Sequence, residues 1–190
     1  MNAAVAKRMR WTVDQYFRAS AMGLFDRRVE LLNGEIIEVP AQGIPHRLAV
    51  SRVARLLQAA FDPDHFWVAI QGTIVLSRFS APDPDFYLLD VPEQKPSGPL
   101  PTPFLVIEIS DTTYRKDAGL KLRAYARAGI REYWIVNLAK QQVEVYRQPE
   151  NPTGRRSDWR YASVTTYRSG ERVSPLRKPD VSFGVDQLLA

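Results

Sequence analysis

Cysteine is absent from this 190-residue chain. Disulfides and thiolate metal sites are thereby excluded, and a cytoplasmic home is the expectation. No apolar run approaches the roughly 18 residues that a membrane-spanning helix needs. The opening stretch MNAAVAKRMRWTVDQY carries basic residues but no apolar signal core behind them. Internal repeats, low-complexity tracts and recognisable base-reading modules are also missing. What remains is 45% hydrophobic and 25% charged. That balance is sufficient for one well-filled core, so a single domain over 1–190 is expected, with its core at about 12–147 and a basic C-terminal extension over 148–190.

The net charge of +5 is unevenly spread. Residues 1–28 carry +4 and residues 147–178 carry +5, whereas residues 29–146 sum to −2 and the last twelve to −2. An acidic centre between basic flanks suits a protein that tracks a polyanion while its carboxylates hold a cation. Surface arginines that serve only solubility would give the same sum.

Local patterns set the order of elements. Thr12, with Gln15 three residues on, reads as the capped start of a short helix that ends at Gly23. Asn33-Gly34 between RVELL and EIIEV is a strong hairpin signal. Residues 46–60 form an amphipathic helix with its arginines away from the apolar side. Strands are expected within 66–77, 85–90, 104–110, 132–138, 142–147 and WRYASVTTY, and a helix over 115–129 that stops at Gly129. The proline-rich stretch 91–103 reads as a mobile loop. Strand, helix, strand within 104–138 makes a β-α-β crossover with parallel strands, and the next strand returns antiparallel through a short loop. The class is α/β, with a mixed sheet flanked by helices.

One residue is out of place in this pattern. Strand FLVIEIS is apolar enough to be buried on both faces, yet it holds Glu108. Alternation puts Val106, Glu108 and Ser110 on one face and Leu105, Ile107 and Ile109 on the other. A buried, unpaired carboxylate costs several kcal/mol, on the order set by charge desolvation. Its place near the carboxyl end of a strand, where sites gather in open α/β sheets, favours a ligand over packing. Asp85 opens the strand after Pro84 and can converge on Glu108 if the two strands pair. Two such carboxylates with waters suit Mg²⁺ or Mn²⁺. Asp85 would otherwise be an ordinary Pro-Asp turn residue. Asp117, Lys121 and Tyr125, spaced four apart, share a helix face, which could equally be a surface ion pair.

Pro84-Asp85, the apolar strand ending Glu108-x-Ser110, and the run D-x-x-x-K-L-x-x-Y-x-x-x-G-I-x-E-Y-W-I-V resemble the Uma-type family of restriction-endonuclease-like proteins, within the PD-(D/E)xK nuclease superfamily. RVELLNGEI and His46 fit the likeness, which covers about residues 12–147. The resemblance implies a metal-dependent endonuclease acting on DNA, with Asp85 and Glu108 as Mg²⁺ (or Mn²⁺) ligands. Glu30 is the third acidic candidate, with Glu35 as its rival. The superfamily expects lysine two residues after the glutamate, where this chain has Ser110. Lys121 is then the candidate for that lysine. A catalytically impaired module that binds nucleic acid without cutting is the alternative. A homodimer is a further expectation of the likeness. His46 and Tyr125 are secondary candidates for the site, and Tyr133 and Trp134 are read as core.

Overall fold

The structure, a computed structural model, describes residues 9–94 and 100–189. Residues 1–8 of the basic N-terminal segment and 95–99 of the proline-rich stretch lie outside the described residues.

Helix α1 (Val13–Ala21) starts in the expected capping box: Thr12 and Gln15 each accept a hydrogen bond from the other's backbone N–H. Its apolar side packs Val13 and Tyr16 on the hairpin formed by β1 (Val29–Leu32) and β2 (Glu35–Glu38). Asn33 and Gly34 turn that hairpin with φ of 55° and 84°, the left-handed pair that a tight two-residue turn requires. Gly34 has a second reason to lack a side chain. A Cβ there would stand 2.7 Å from the Cβ of Arg10.

The main sheet has six strands in the order β3 (Trp67–Ile70), β4 (Phe86–Leu89), β5 (Leu105–Ser110), β6 (Glu132–Asn137), β7 (Gln142–Glu150) and β8 (Arg160–Arg168). Only β5 and β6 run parallel, and all other neighbours are antiparallel. Among the described residues the sheet is thus mixed, as the crossover pattern required. Helix α2 (Ile44–Ala60) covers one face, where Val53 and Leu57 meet Leu105, Ile107, Ile109 and Trp134. The other face is covered by the helical segment between β5 and β6, where Tyr125 and Ala126 meet Val106, Tyr133 and Ile135. The alternation read from FLVIEIS is therefore observed: the odd positions face α2 and the even ones face the crossover.

Three expectations are corrected. The strand expected within 66–77 ends at Ile70, because Gln71 adopts φ 50° and the chain turns away from the sheet. The crossover helix is not uniform. It begins as α3 (Tyr114–Lys116), widens into a π-helical turn over Asp117–Lys121, and resumes as α4 (Leu122–Arg127). Such turns recur at functional sites because they re-aim side chains without ending the helix. Finally, the tail does more than append a strand. After β8, the short pair β9 (Arg172–Val173) and β10 (Phe183–Gly184) leads into α5 (Val185–Leu189). Val173, Phe183, Val185 and Leu188 enter the α2-side core.

Candidate active site at the end of the fourth and fifth strands

Strand pairing between β4 and β5 brings Asp85 and Glu108 to one cleft. Asp85 sits just ahead of β4, and its Oδ2 accepts the backbone N–H of Ile109 at 2.8 Å. The same oxygen lies 3.2 Å from Nε2 of His46, in the first turn of α2. Asp85 is thus a clamp between two strands and a helix, not a turn residue facing solvent. His46 is buried beside it, and its Nδ1 makes no hydrogen bond among the described residues.

Glu108 is 3% exposed and is paired. Its Oε1 accepts from Lys121 Nζ at 2.7 Å and from the Tyr125 hydroxyl at 2.7 Å. Lys121 is equally buried, and its Nζ also stands 3.1 Å from Glu30 Oε1 and 3.3 Å from the carbonyl of Asp83. The ammonium beside Glu108 thus comes from the crossover, at the C-terminal edge of the π-helical turn. Ser110 is buried on the same face of β5, close enough to Asp117 to help hold that carboxyl down. Asp117 opens the π-helical turn and accepts from the Thr113 hydroxyl at 2.5 Å. The hydroxyl of Tyr133 donates to the Asp117 carbonyl at 3.2 Å, so this core tyrosine also braces the turn.

Burial pushes the Glu108 carboxyl up to about 8; Lys121 pulls it back, while Asp117, Asp85 and Glu30 add to the rise. Burial alone would lower Lys121, but Glu108, Glu30 and Asp117 outweigh it, and the ammonium is held well above its ordinary range. Burial also raises Asp117, against Lys121 and Thr113. A carboxyl whose pKa is raised by folding adds stability below its unfolded pKa of about 4.5, and this is lost as pH rises through about 8. The metal-free protein is therefore expected to lose stability relative to Glu108→Gln between pH 5 and pH 8. Urea unfolding of both proteins in EDTA at the two pH values measures the change. A difference that stays constant would mean that Glu108 is charged throughout.

Six carboxylates line the cleft (Glu30, Asp83, Asp85, Glu108, Asp111 and Asp117) against Arg28, Lys116 and Lys121. The excess is negative, as a site for a divalent cation requires. Hydrogen bonds to Glu108 and Asp85 fall on one oxygen of each, and none among the described residues reaches Glu108 Oε2 or Asp85 Oδ1. These two oxygens and waters form a donor set that Mg²⁺ accepts. Among the described residues no three His, Asp or Glu side chains are gathered closely enough to hold an ion. The expected third ligand explains why. Glu30 Oε1 is taken by Lys121, and its Oε2 lies 3.5 Å from Lys116 Nζ. In this geometry Glu30 is a counter-ion of lysines. Glu35, its rival, is exposed on the far arm of the hairpin and does not line the cleft.

Four charged cleft residues escaped sequence reasoning: Lys116, Asp111, Arg28 (3.6 Å from Asp83 Oδ2) and Asp83 itself. Asp83, the first acid of PDPD, accepts from the Thr73 hydroxyl and lends Lys121 its carbonyl. Its repetition ahead of Pro84-Asp85 was the only signal available.

The geometry has parallels among known proteins. The chain is similar to a solved structure from Anabaena variabilis ATCC 29413, described as "a putative nuclease belonging to DUF820". The two share 14% identity with a TM-score of 0.63, over 93% of this chain and 96% of that one, which establishes a common fold. No curated protein matches the chain in sequence. A family model described as "Putative restriction endonuclease" matches residues 13–185. The match takes in α1, the hairpin, the cleft and nearly all of the tail, and so the chain belongs to the Uma2 family.

Proposed function

We propose that the protein is a metal-dependent nuclease that hydrolyses phosphodiester bonds in DNA. The observation that carries this reading is Lys121 Nζ, 2.7 Å from Glu108 and reaching the strand end where Asp85 is clamped. It restores, from a helix, the cation that the strand lacks at Ser110. Asp85 and Glu108 would hold Mg²⁺ or Mn²⁺ through the oxygens that the protein leaves unbonded. When bound, such an ion supplies a water of lowered pKa and neutralises charge on the phosphate.

The remaining work falls to the chain's own groups. Tyr125 fixes Glu108 by its hydrogen bond to Oε1, which turns Oε2 to the cleft. Ile109 N–H and His46 fix Asp85 in the same way. Lys121 stays charged between Glu30 and Glu108 and can donate to a phosphate oxygen or orient the attacking water. Lys116 and Arg28 add positive charge at the cleft, where a polyanion enters. Cutting both strands of a duplex would call for two copies of the chain acting together.

Supercoiled plasmid and single-stranded DNA, incubated with Mg²⁺ or Mn²⁺, test the proposal. Wild type is expected to cut, and Glu108→Gln is expected to fold yet cut at least about a hundredfold more slowly. The amide oxygen of glutamine still accepts from Tyr125 and Lys121, so a loss of activity would not report unfolding. Tight DNA binding without cutting by wild type would instead favour a non-cleaving nucleic-acid module, the reading that Ser110 first suggested.

A further inference from the structure

A second concentration of charge lies away from the cleft, at the tip of the β1–β2 hairpin. Arg10, Arg123, Arg127 and Arg156 line one groove there, together with the Asn33-Gly34 turn. They come from four places in the chain: the N-terminal segment, two positions of α4, and a 3₁₀ turn at Arg156–Asp158. Asn33 gathers three of them. Its carbonyl accepts from Arg10 Nε at 2.8 Å, and its side-chain oxygen accepts from Arg127 at 3.0 Å and Arg156 at 3.4 Å. Arg127 also donates to the Ser77 hydroxyl at 3.3 Å. The guanidinium of Arg10 lies 4.0 Å over the Phe79 ring, and its NH2 nitrogen is buried with no hydrogen-bond partner among the described residues.

Like charges do not collect without a cause. Among the described residues none of these four arginines is ion-paired with a carboxylate. Burial, and then the neighbouring arginine charge, lowers both Arg127 and Arg156 from their ordinary range. Asn33 is neutral, so it orders the guanidinium groups without cancelling them. The buried end of Arg10 is shielded from water, so its charge is felt strongly in the groove. Exposed Arg123 and Arg156 leave forked donors that suit a doubly accepting oxyanion.

We propose that this groove is a phosphate-binding site and that it takes a backbone phosphate of the nucleic acid whose other part lies in the cleft. The source of the phosphate rests on the nuclease reading; the phosphate chemistry does not. The spacing is suitable. Asn33 lies three residues along β1 from Glu30, and Arg127 lies six residues along the helical segment from Lys121. Both paths give about 10 Å. Measured along the axis of a duplex, that is about three nucleotides of one strand. The groove would hold the strand while the cleft acts on it.

The test uses the full chain in EDTA, so that no cleavage intervenes. One arm measures the unfolding midpoint with added inorganic phosphate, and the other measures anisotropy of a fluorescent duplex across salt concentrations. The proteins are wild type, Arg156→Gln, and Arg127→Gln/Arg156→Gln. Arg156 is exposed, so its single variant folds even if the double variant does not. Wild type should be stabilised by phosphate and the variants should not. The double variant should bind duplex about tenfold more weakly, with a salt slope reduced by about one. Loss of the phosphate effect with unchanged duplex affinity would keep the site and assign it to free phosphate groups. Phosphate and duplex binding both unchanged in the variants would overturn the proposal. A wild type that binds phosphate here but never cuts DNA would sink the nuclease reading alone.

Discussion

Lys121→Met is expected to stop cleavage and to lower the stability of the metal-free protein by about 3–5 kcal/mol, the cost of removing one partner from a buried ion pair. Methionine preserves much of the side-chain volume and none of the charge. Glu30 and Glu108, with Asp117 beside them, would then be left without their shared cation. The loss should be greatest at pH 8. At pH 5 the buried carboxyls can take up protons instead, as the raised Glu108 pKa already favours, and the variant should recover part of the difference. Added Mg²⁺ should also narrow the gap, because it offers the same carboxylates another cation. Cleavage should fall by about 10²–10³-fold, the range for loss of one charge-stabilising donor. Urea unfolding in EDTA at both pH values, repeated with Mg²⁺, reads the stability, and plasmid nicking reads the rate. A variant as stable as wild type in EDTA would mean that Lys121 does not hold the carboxylates. Full cleavage by the variant would remove it from the reaction.

Asp85→Asn separates a ligand from a strut. Asp85 has two jobs in the fold: it accepts the Ile109 N–H across β4 and β5, and it lies against His46. Asparagine keeps an oxygen for Ile109, so stability should change by less than about 1 kcal/mol, the scale of one neutral hydrogen bond. What it removes is the negative charge at Oδ1. Mg²⁺ affinity, measured by calorimetry, should fall at least about tenfold, and cleavage at least about a hundredfold. If the variant cut at the wild-type rate, Asp85 would be a structural clamp, and the metal would have to rest on Glu108 and other groups. If it unfolded, the contact with His46 would carry more of the fold than its 3.2 Å separation implies.

The strand FLVIEIS illustrates how far the sequence could be read. Its alternation told which residues share the Glu108 face, and the core on each side of the sheet follows it. It could not tell what stands opposite Glu108. Lys121 was a candidate from its helix spacing, but the pairing rests on a π-helical turn that periodicity does not reveal. Glu30 was expected among the carboxylates of the site, and its partner was not. Whether an acid near a cleft binds a metal or a lysine depends on angstroms that strand spacing leaves open. His46 was weak for the same reason: a lone histidine at a helix start says nothing of Asp85, 39 positions on.

Sequence by itself determined the main local features and their order: the Thr12 cap, the Asn33-Gly34 hairpin, the parallel crossover and the antiparallel return. These depend on turn chemistry and side-chain period, which act within a few residues. Tertiary structure alone decided which charges meet. Lys121 lies between Glu30 and Glu108 because hairpin, strand and helix pack on one cleft. The two basic flanks of the chain, apparent only as a sum in the composition, converge at Asn33, which accepts from Arg10 of the first and Arg156 of the second. Coulomb energy depends on distance in space, and separation along the chain does not set that distance.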